Sequence, residues 1–404
     1  MYNLLKLAFV FTVIVLLLSR RWNLGYVLLL GSALLGLLYG LPVLEILEQA
    51  KIAVLDLSTL RLVAAVLLIT TLGELLRETE SMQQMVHSLQ ELISDPRLVL
   101  AIVPALIGLL PMPGGAMLSA PMVQELGSQQ GLSAEHKTFL NYWFRHVWEY
   151  VFPLYPALIL MSGMLEIPLS RLALAQAPLT VGAIAGGVLV GLRGIHPSPN
   201  GPGDESPRRR QSLRTLALSI WPIVLVIVLS LVFKLELALS LMIAIVLTAI
   251  VHRMKPRLLG QVLRRSLSPR TALLVVSIMI FKQVVLASGA ADELSAAFIS
   301  WGIAPVVITV AVPLVLGLLT GLTMPMVGIG YPLLLPLISG SEVYLNHAVL
   351  AFGAGFIGVL LSPLHLCLAL TRDYFQADWL PVYRRLLPSA AIVGLAAAVA
   401  WLVA

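Results

Sequence analysis

Charge is what this chain has least of. Only 11% of its 404 residues are Asp, Glu, Lys or Arg, against 59% hydrophobic, and the mean hydropathy is +0.96. Soluble domains carry roughly 25% charged residues, so an aqueous globular fold is excluded. The length suffices instead for roughly ten membrane spans of about 20 residues. Cysteine is almost missing as well: Cys367 stands alone, which rules out an intrachain disulfide and a cluster of thiolate metal ligands. No His-Glu-x-x-His pair of a zinc protease occurs. Gly201-Pro-Gly-Asp204 matches an intramembrane aspartyl motif only in outline, because it sits in a polar segment without a membrane-embedded aspartate partner. The formal charge of +6 does not point to nucleic acid, since the basic residues lie in short clusters between apolar runs, where they set topology. The first run, Leu4 to Leu18, lacks a basic leader and a small-residue cleavage site and precedes Arg20-Arg21, so it reads as a retained first span.

What the chain does have is proline and glycine in apolar surroundings. Gly108-Leu-Leu-Pro-Met-Pro-Gly-Gly-Ala-Met-Leu-Ser-Ala-Pro121 holds three of each in fourteen residues. Proline removes a backbone donor and glycine permits a reversal, so Pro111 to Gly115 is expected to form the tip of a re-entrant hairpin over about 97–127. Backbone freed of helix bonds at membrane depth survives only against protein or a water-filled cavity, which makes the tip a candidate site.

A second copy supports this expectation. Pro104-Ala-Leu-Ile-Gly-Leu-Leu110 recurs as Pro313-Leu-Val-Leu-Gly-Leu-Leu319, followed by the tip Thr320-Gly-Leu-Thr-Met-Pro325. Landmarks keep an offset of about 210 residues: Arg61 with Arg270, Pro153 with Pro363, Pro178 with Pro388. Internal duplication is the simplest explanation. The expected organisation is a first repeat at 1–192 (hairpin 97–127, broken helix 133–165, a span at 168–191), a polar linker at 193–214, and a second repeat at 215–404 (hairpin 303–338, broken helix 343–375). Each half then has about five full spans and one hairpin. An odd number inverts the second copy, and the basic clusters place the linker in the cytoplasm and both termini outside. The expected fold class is an all-α polytopic membrane protein of two inverted repeats, in a bacterial-type inner or plasma membrane.

These features resemble the superfamily of ion and organic-anion transporters that includes gluconate, citrate, dicarboxylate and arsenite permeases. The segment Leu110 to Ala116 resembles more specifically a prokaryotic integral-membrane family labelled DUF401, grouped with those transporters. The resemblance spans essentially the whole chain. It implies inverted repeats that each carry a re-entrant hairpin and a broken helix. The Ser-Asn-Thr tripeptides of the dicarboxylate branch are absent from both tips, so sodium coupling and dicarboxylate specificity do not carry over.

Interrupted hydrophobic segments in corresponding halves point to the substrate site of a secondary transporter. Helix restarts after Pro113, Met324, Pro153 and Pro363 present free N–H groups that favour an anion. The substrate-binding candidates are Pro111, Met112, Pro113, Gly114, Gly115, Ser119, Thr320, Thr323, Met324, Ser362 and Lys282. Those hydroxyls could equally satisfy freed backbone. Ionisable residues within apolar runs are costly, which singles out Lys282 and, for coupling, Glu149, Arg145, His146, His365 and Glu74. Arg145 and Glu149, four apart, could instead be a structural ion pair on one helix face. The expected function is secondary active transport of a small organic anion, coupled to a proton rather than sodium, with no cofactor, no metal and no enzymatic activity. The expected partners are the anion, the coupling ion, the lipid bilayer and, compatibly, a second copy in a homodimer. The competing classes are a channel, which would call for acidic or carbonyl-rich rings at its tips, and an intramembrane enzyme or lipid-handling protein.

Overall fold

Where water is excluded, every backbone amide must be bonded within its own segment or sheet, and this sequence takes the helical solution. The computed structural model describes the whole chain except residues 1, 21, 94, 110–114, 197–205, 339–344 and 404, and the side chains of 2 and 206–208. No strand occurs among the described residues. The first half runs α1 (Tyr2–Ser19), α2 (Leu24–Leu38), α3 (Val43–Leu55), α4 (Leu57–Glu78), α5 (Ser81–Leu92), α6 (Pro96–Gly108), α7 (Ala116–Gln129), α8 (Ala134–Arg145), α9 (Pro156–Leu165), α10 (Leu169–Ala175) and α11 (Ala177–Gly186), which ends in a π-helical turn at Gly187–Gly191. The second half runs α12 (Ser206–Ile227, with a π-helical turn at Val228–Val232), α13 (Leu237–Val251), α14 (Pro256–Ser266), α15 (Pro269–Ala287), α16 (Ala290–Ser300), α17 (Pro305–Thr320), α18 (Thr323–Ile338), α19 (Leu345–Leu361), α20 (Leu366–Phe375) and α21 (Trp379–Val403).

Five described helical stretches are long and apolar enough to cross a bilayer, or six if α9 and α10, bent by 112°, form one span. Seven shorter apolar helices accompany them. The chain is an all-α, multi-pass membrane protein.

Three boundaries differ from expectation. The broken helix stops at Arg145, eight residues before Pro153. Residues 147–152 are mostly β-branched or aromatic, weak helix formers that run toward a proline. They continue in tight i→i+3 turns, such as Glu149 N–H to the His146 carbonyl at 3.3 Å. The span expected at 168–191 is divided between α10 and α11, with Pro178 in the first turn of α11, where its missing N–H costs nothing. The linker is shorter than 193–214, because α12 has already begun at Ser206; residues 197–205 lie outside the described residues.

Lipid tails are as apolar as leucine, so helices in a bilayer associate by close packing. α17 lies on α19 and α6 on α8. At the first crossing a Cβ added to Gly317 would stand 2.1 Å from the Gly355 carbonyl oxygen; at the second, one on Gly108 would stand 1.9 Å from that of Arg145. Only glycine fits either place. Among the largest fully buried side chains, Tyr142, Trp143, Tyr150, Phe352 and Phe356 come from α8, its irregular continuation and α19, so the densest part of the core lies where the two broken helices meet.

The halves are interlaced rather than side by side. α2 packs on α15 and α13 on α4; α3 packs on α15 and α14 on α4; α5 packs on α12 and α16 on α1. The second hairpin arms behave alike, α7 packing on α20 and α18 on α9. α4 meets α15, and α11 meets α21.

Candidate functional site

The end of α8 is the starting point, because a helix that stops inside protein leaves carbonyls to be satisfied. His146 caps it: its Nδ1 lies 2.6 Å from the Tyr142 carbonyl oxygen one turn back. A carbonyl only accepts, so Nδ1 carries the ring hydrogen and Nε2 presents a lone pair. Arg145 turns toward the first hairpin, donating from Nη1 to the Ile107 carbonyl at 3.0 Å. Its guanidinium so crowds Gly115, just before α7 restarts, that an added Cβ would stand 2.7 Å from both Nη atoms. Asn141 Nδ2 donates to the Ala116 carbonyl at 3.0 Å and reaches Thr371 Oγ1 on α20 at 3.4 Å.

The second half answers from the other side. α17 ends at Gly321, whose φ of 63° is left-handed and whose missing Cβ leaves room for the backbone at His365, 2.7 Å away. His365 caps the start of α20, and its Nδ1 lies 2.8 Å from the Gly321 carbonyl oxygen, which again leaves Nε2 with a lone pair. The two Nε2 atoms face each other at 3.1 Å. Two neutral lone pairs at that distance repel, so the geometry calls for a positive charge between them, a proton or a metal ion.

Around this pair the groups are buried and polar. Glu149 Oε1 lies 3.7 Å from His146 Nε2. The Tyr155 hydroxyl, beside the Glu149 carboxylate, bonds Thr323 Oγ1 at the second tip at 2.8 Å. The Cys367 thiol is within reach of His146. Tyr142 donates to the Leu360 carbonyl at 3.0 Å. One buried centre thus draws on both hairpins and both helix breaks.

The sequence-based candidates divide accordingly. Arg145, His146, Glu149, Gly115, Thr323 and His365 come together. Pro111, Met112, Pro113 and Gly114 lie outside the described residues. Three of the four hydroxyls serve backbone: Ser119 bonds the Ala116 carbonyl, Thr320 that of Leu316 and Ser362 that of Leu318. Met324 is half-buried against the core, and α18 restarts at Thr323, ahead of it. Arg145 and Glu149 do not share a helix face, because α8 ends at Arg145 and the carboxylate turns to His146. Lys282 is elsewhere: its Nζ donates at 3.0 Å to the Met164 carbonyl at the end of α9, with the Glu166 and Asp56 carboxylates nearby. Met164 is nine residues, about 13 Å, along the helix from Tyr155. Glu74 pairs with Arg77 at 2.5 Å on a partly exposed face of α4. Asn141, Tyr155, Thr371 and Cys367 were not singled out in the sequence; only Tyr155, next to a helix-starting proline, and Cys367, two residues past His365, carried a local signal.

A family model described as a protein of unknown function, DUF401, matches residues 3–404. The chain belongs to the DUF401 family. No curated protein matches the chain. For this DUF401 protein the site therefore has to be read from its own geometry.

Proposed function

We propose that the protein is a secondary active transporter that carries a small organic anion, a carboxylate by preference, by alternating access and with a proton as coupling ion. The observation that carries this reading is the Arg145 guanidinium, buried at the end of α8, bonded to the Ile107 carbonyl of α6 and packed against Gly115 where α7 restarts. A fixed cation beside the N-terminal end of a helix favours a carboxylate. Interrupted helices in two halves with the same element order support transport, as does the resemblance of the repeated sequence features to the superfamily of gluconate, citrate, dicarboxylate and arsenite permeases. Sodium is disfavoured because the Ser-Asn-Thr tripeptides are absent from both tips, and the imidazole pair with the Glu149 carboxylate beside it offers groups that take up a proton. Two inverted repeats in a cell inner membrane, termini outside and linker in the cytoplasm, complete the proposal. Lys282 and Glu74 stand outside the substrate and coupling set.

The test is uptake into proteoliposomes of labelled monocarboxylates, sugar acids and dicarboxylates, under an imposed proton gradient or an imposed sodium gradient. Saturable uptake driven by the proton gradient is expected, and Arg145→Gln should lower it at least tenfold while the protein remains monodisperse. Uptake of no anion, or an Arg145→Gln variant as active as wild type, would overturn the anion reading; drive by sodium alone would overturn the coupling.

A further inference from the structure

We propose that His146, His365 and Cys367, with Glu149 as fourth ligand, form a binding site for a divalent transition-metal ion of the zinc type. The proposal goes beyond the transport reading and does not depend on it.

The two Nε2 atoms are 3.1 Å apart, a ring nitrogen of each histidine and Cys367 Sγ all lie within 4.8 Å of one another, and all three residues are buried. A tetrahedral zinc ion, with bonds of about 2.0–2.1 Å to nitrogen and 2.3 Å to sulfur, holds its donors about 3.3–3.8 Å apart. The imidazole nitrogens, at 3.1 Å, need only part slightly, and the sulfur, no more than 4.8 Å from either, needs to close by little more than about an ångström at most.

Orientation is the stronger argument. Each imidazole is held by an Nδ1–H bond to a backbone carbonyl, Tyr142 for one and Gly321 for the other, which fixes the tautomer that points Nε2 inward. Metal-binding histidines are generally held by such outer bonds.

Glu149 stands beside this trio but outside the donors that lie within 4.8 Å of one another, so its carboxylate would swing in as the fourth ligand. Glu149 is 7% exposed, and its Oε2 is a buried oxygen with no hydrogen-bond partner among the described residues, while Oε1 faces His146 Nε2. A buried carboxylate oxygen without a partner is costly, and coordination would satisfy it.

The donor set also selects the ion. Two imidazoles, a thiolate and a carboxylate suit zinc, cobalt or copper and leave magnesium and calcium poorly served. One thiolate and one carboxylate balance a divalent charge, so Arg145 need take no part. His146 and Glu149 come from the first half, His365 and Cys367 from the second, so the ion would join segments 219 residues apart.

The experiment uses the full-length protein, purified through a tag free of histidine, stripped with a chelator and titrated with zinc and with cobalt. One ion per chain is expected, with a thiolate-to-cobalt charge-transfer band, tetrahedral cobalt bands and an unfolding midpoint that rises with zinc concentration by mass action. Cys367→Ser should remove the charge-transfer band and weaken zinc binding at least tenfold. His365→Ala should abolish stoichiometric binding, and His347→Ala, remote from the centre, should leave it intact. Cys367→Ser is nearly isosteric, so it remains informative if the histidine variant fails to fold. Absence of stoichiometric binding, binding that survives His365→Ala, or a cobalt spectrum untouched by Cys367→Ser would overturn the site. None of these readouts requires transport, so the site and the carrier reading fail separately.

Discussion

Place the end of α8 beside the stretch of α19 that lies 210 residues further on, and the two halves part company. Each crosses a hairpin arm, α6 or α17, at a glycine pressed on a backbone carbonyl: Gly108 on Arg145, Gly317 on Gly355. In the second half the helix runs on through Gly355 and Gly358 to Leu361, with small residues toward the arm. In the first, Arg145 and Trp148 occupy the positions of those two glycines, the helix stops, and the irregular segment brings His146 and Glu149 to the centre. One crossing is kept regular and contributes packing. The other gives up helical hydrogen bonds and brings buried polar side chains together, the arrangement that irregular backbone enclosed by protein allows.

The comparison breaks most visibly at the glycines. Gly108→Ala and Gly317→Ala would each push a methyl group into a carbonyl oxygen at about 2 Å. Each should cost more than about 3 kcal/mol and collapse the yield of monodisperse protein on size exclusion. If Gly108→Ala behaves like wild type, the first crossing is not tight and the parallel drawn above is wrong.

A smaller effect separates the ends of α9 and α20. Both helices end in a left-handed residue with φ of 56°, Glu166 and Gln376. α20 is closed by its own Gln376, whose Nε2 donates to the Asp373 carbonyl, whereas the Met164 carbonyl of α9 is bonded by Lys282 from the other half. Lys282→Met should therefore lower stability by about 1.5–3 kcal/mol, the worth of a charge-assisted bond, seen as a lower unfolding midpoint, and leave anion binding close to wild type. Loss of binding at unchanged stability would return Lys282 to the substrate site.

The smallest difference is at the hairpin entrances. Asp95 caps α6 by accepting from the Arg97 N–H at 2.9 Å, while Ala304, at the start of α17, offers no side-chain cap. Asp95→Ala should cost about 1 kcal/mol at neutral pH. The Arg97 guanidinium, bonded to the Asp95 carboxylate, holds its pKa below the ordinary value. The contribution is therefore complete above about pH 4 and is lost as the pH falls through the lowered value. Thermal unfolding of wild type and Asp95→Ala from pH 7 to 3 should converge at the acid end; a gap that stays constant would mean that the cap is not ionic.

Two helix boundaries were legible because proline and glycine act where they stand: Gly321 ends α17, and Pro156 starts α9. The expected break at Pro153 was displaced because tertiary contacts, the Gly108 crossing above all, decide where a weakly helical aromatic run gives way. Cys367 carried little site signal in the sequence, since its partner His146, to which the fold brings it, lies 221 positions away in the chain. Lys282 illustrates the converse difficulty. An isolated cation in an apolar run reads the same whether it faces a substrate or closes a neighbouring helix, and only the position of Met164 distinguishes the two.

Interlacing also sets a timetable for making the protein. The face of α2 that α15 covers is synthesised about 240 residues before its cover exists. At roughly 5–20 residues per second, that face meets lipid, or an insertion partner, for on the order of ten to fifty seconds. Leu28 and Leu35, fully buried in the finished protein, tolerate that wait because lipid accepts leucine as readily as a neighbouring helix does. The buried polar residues of α8 enjoy no such latitude. His146 and Glu149 emerge more than 200 residues before His365, so the centre is completed only near the end of synthesis.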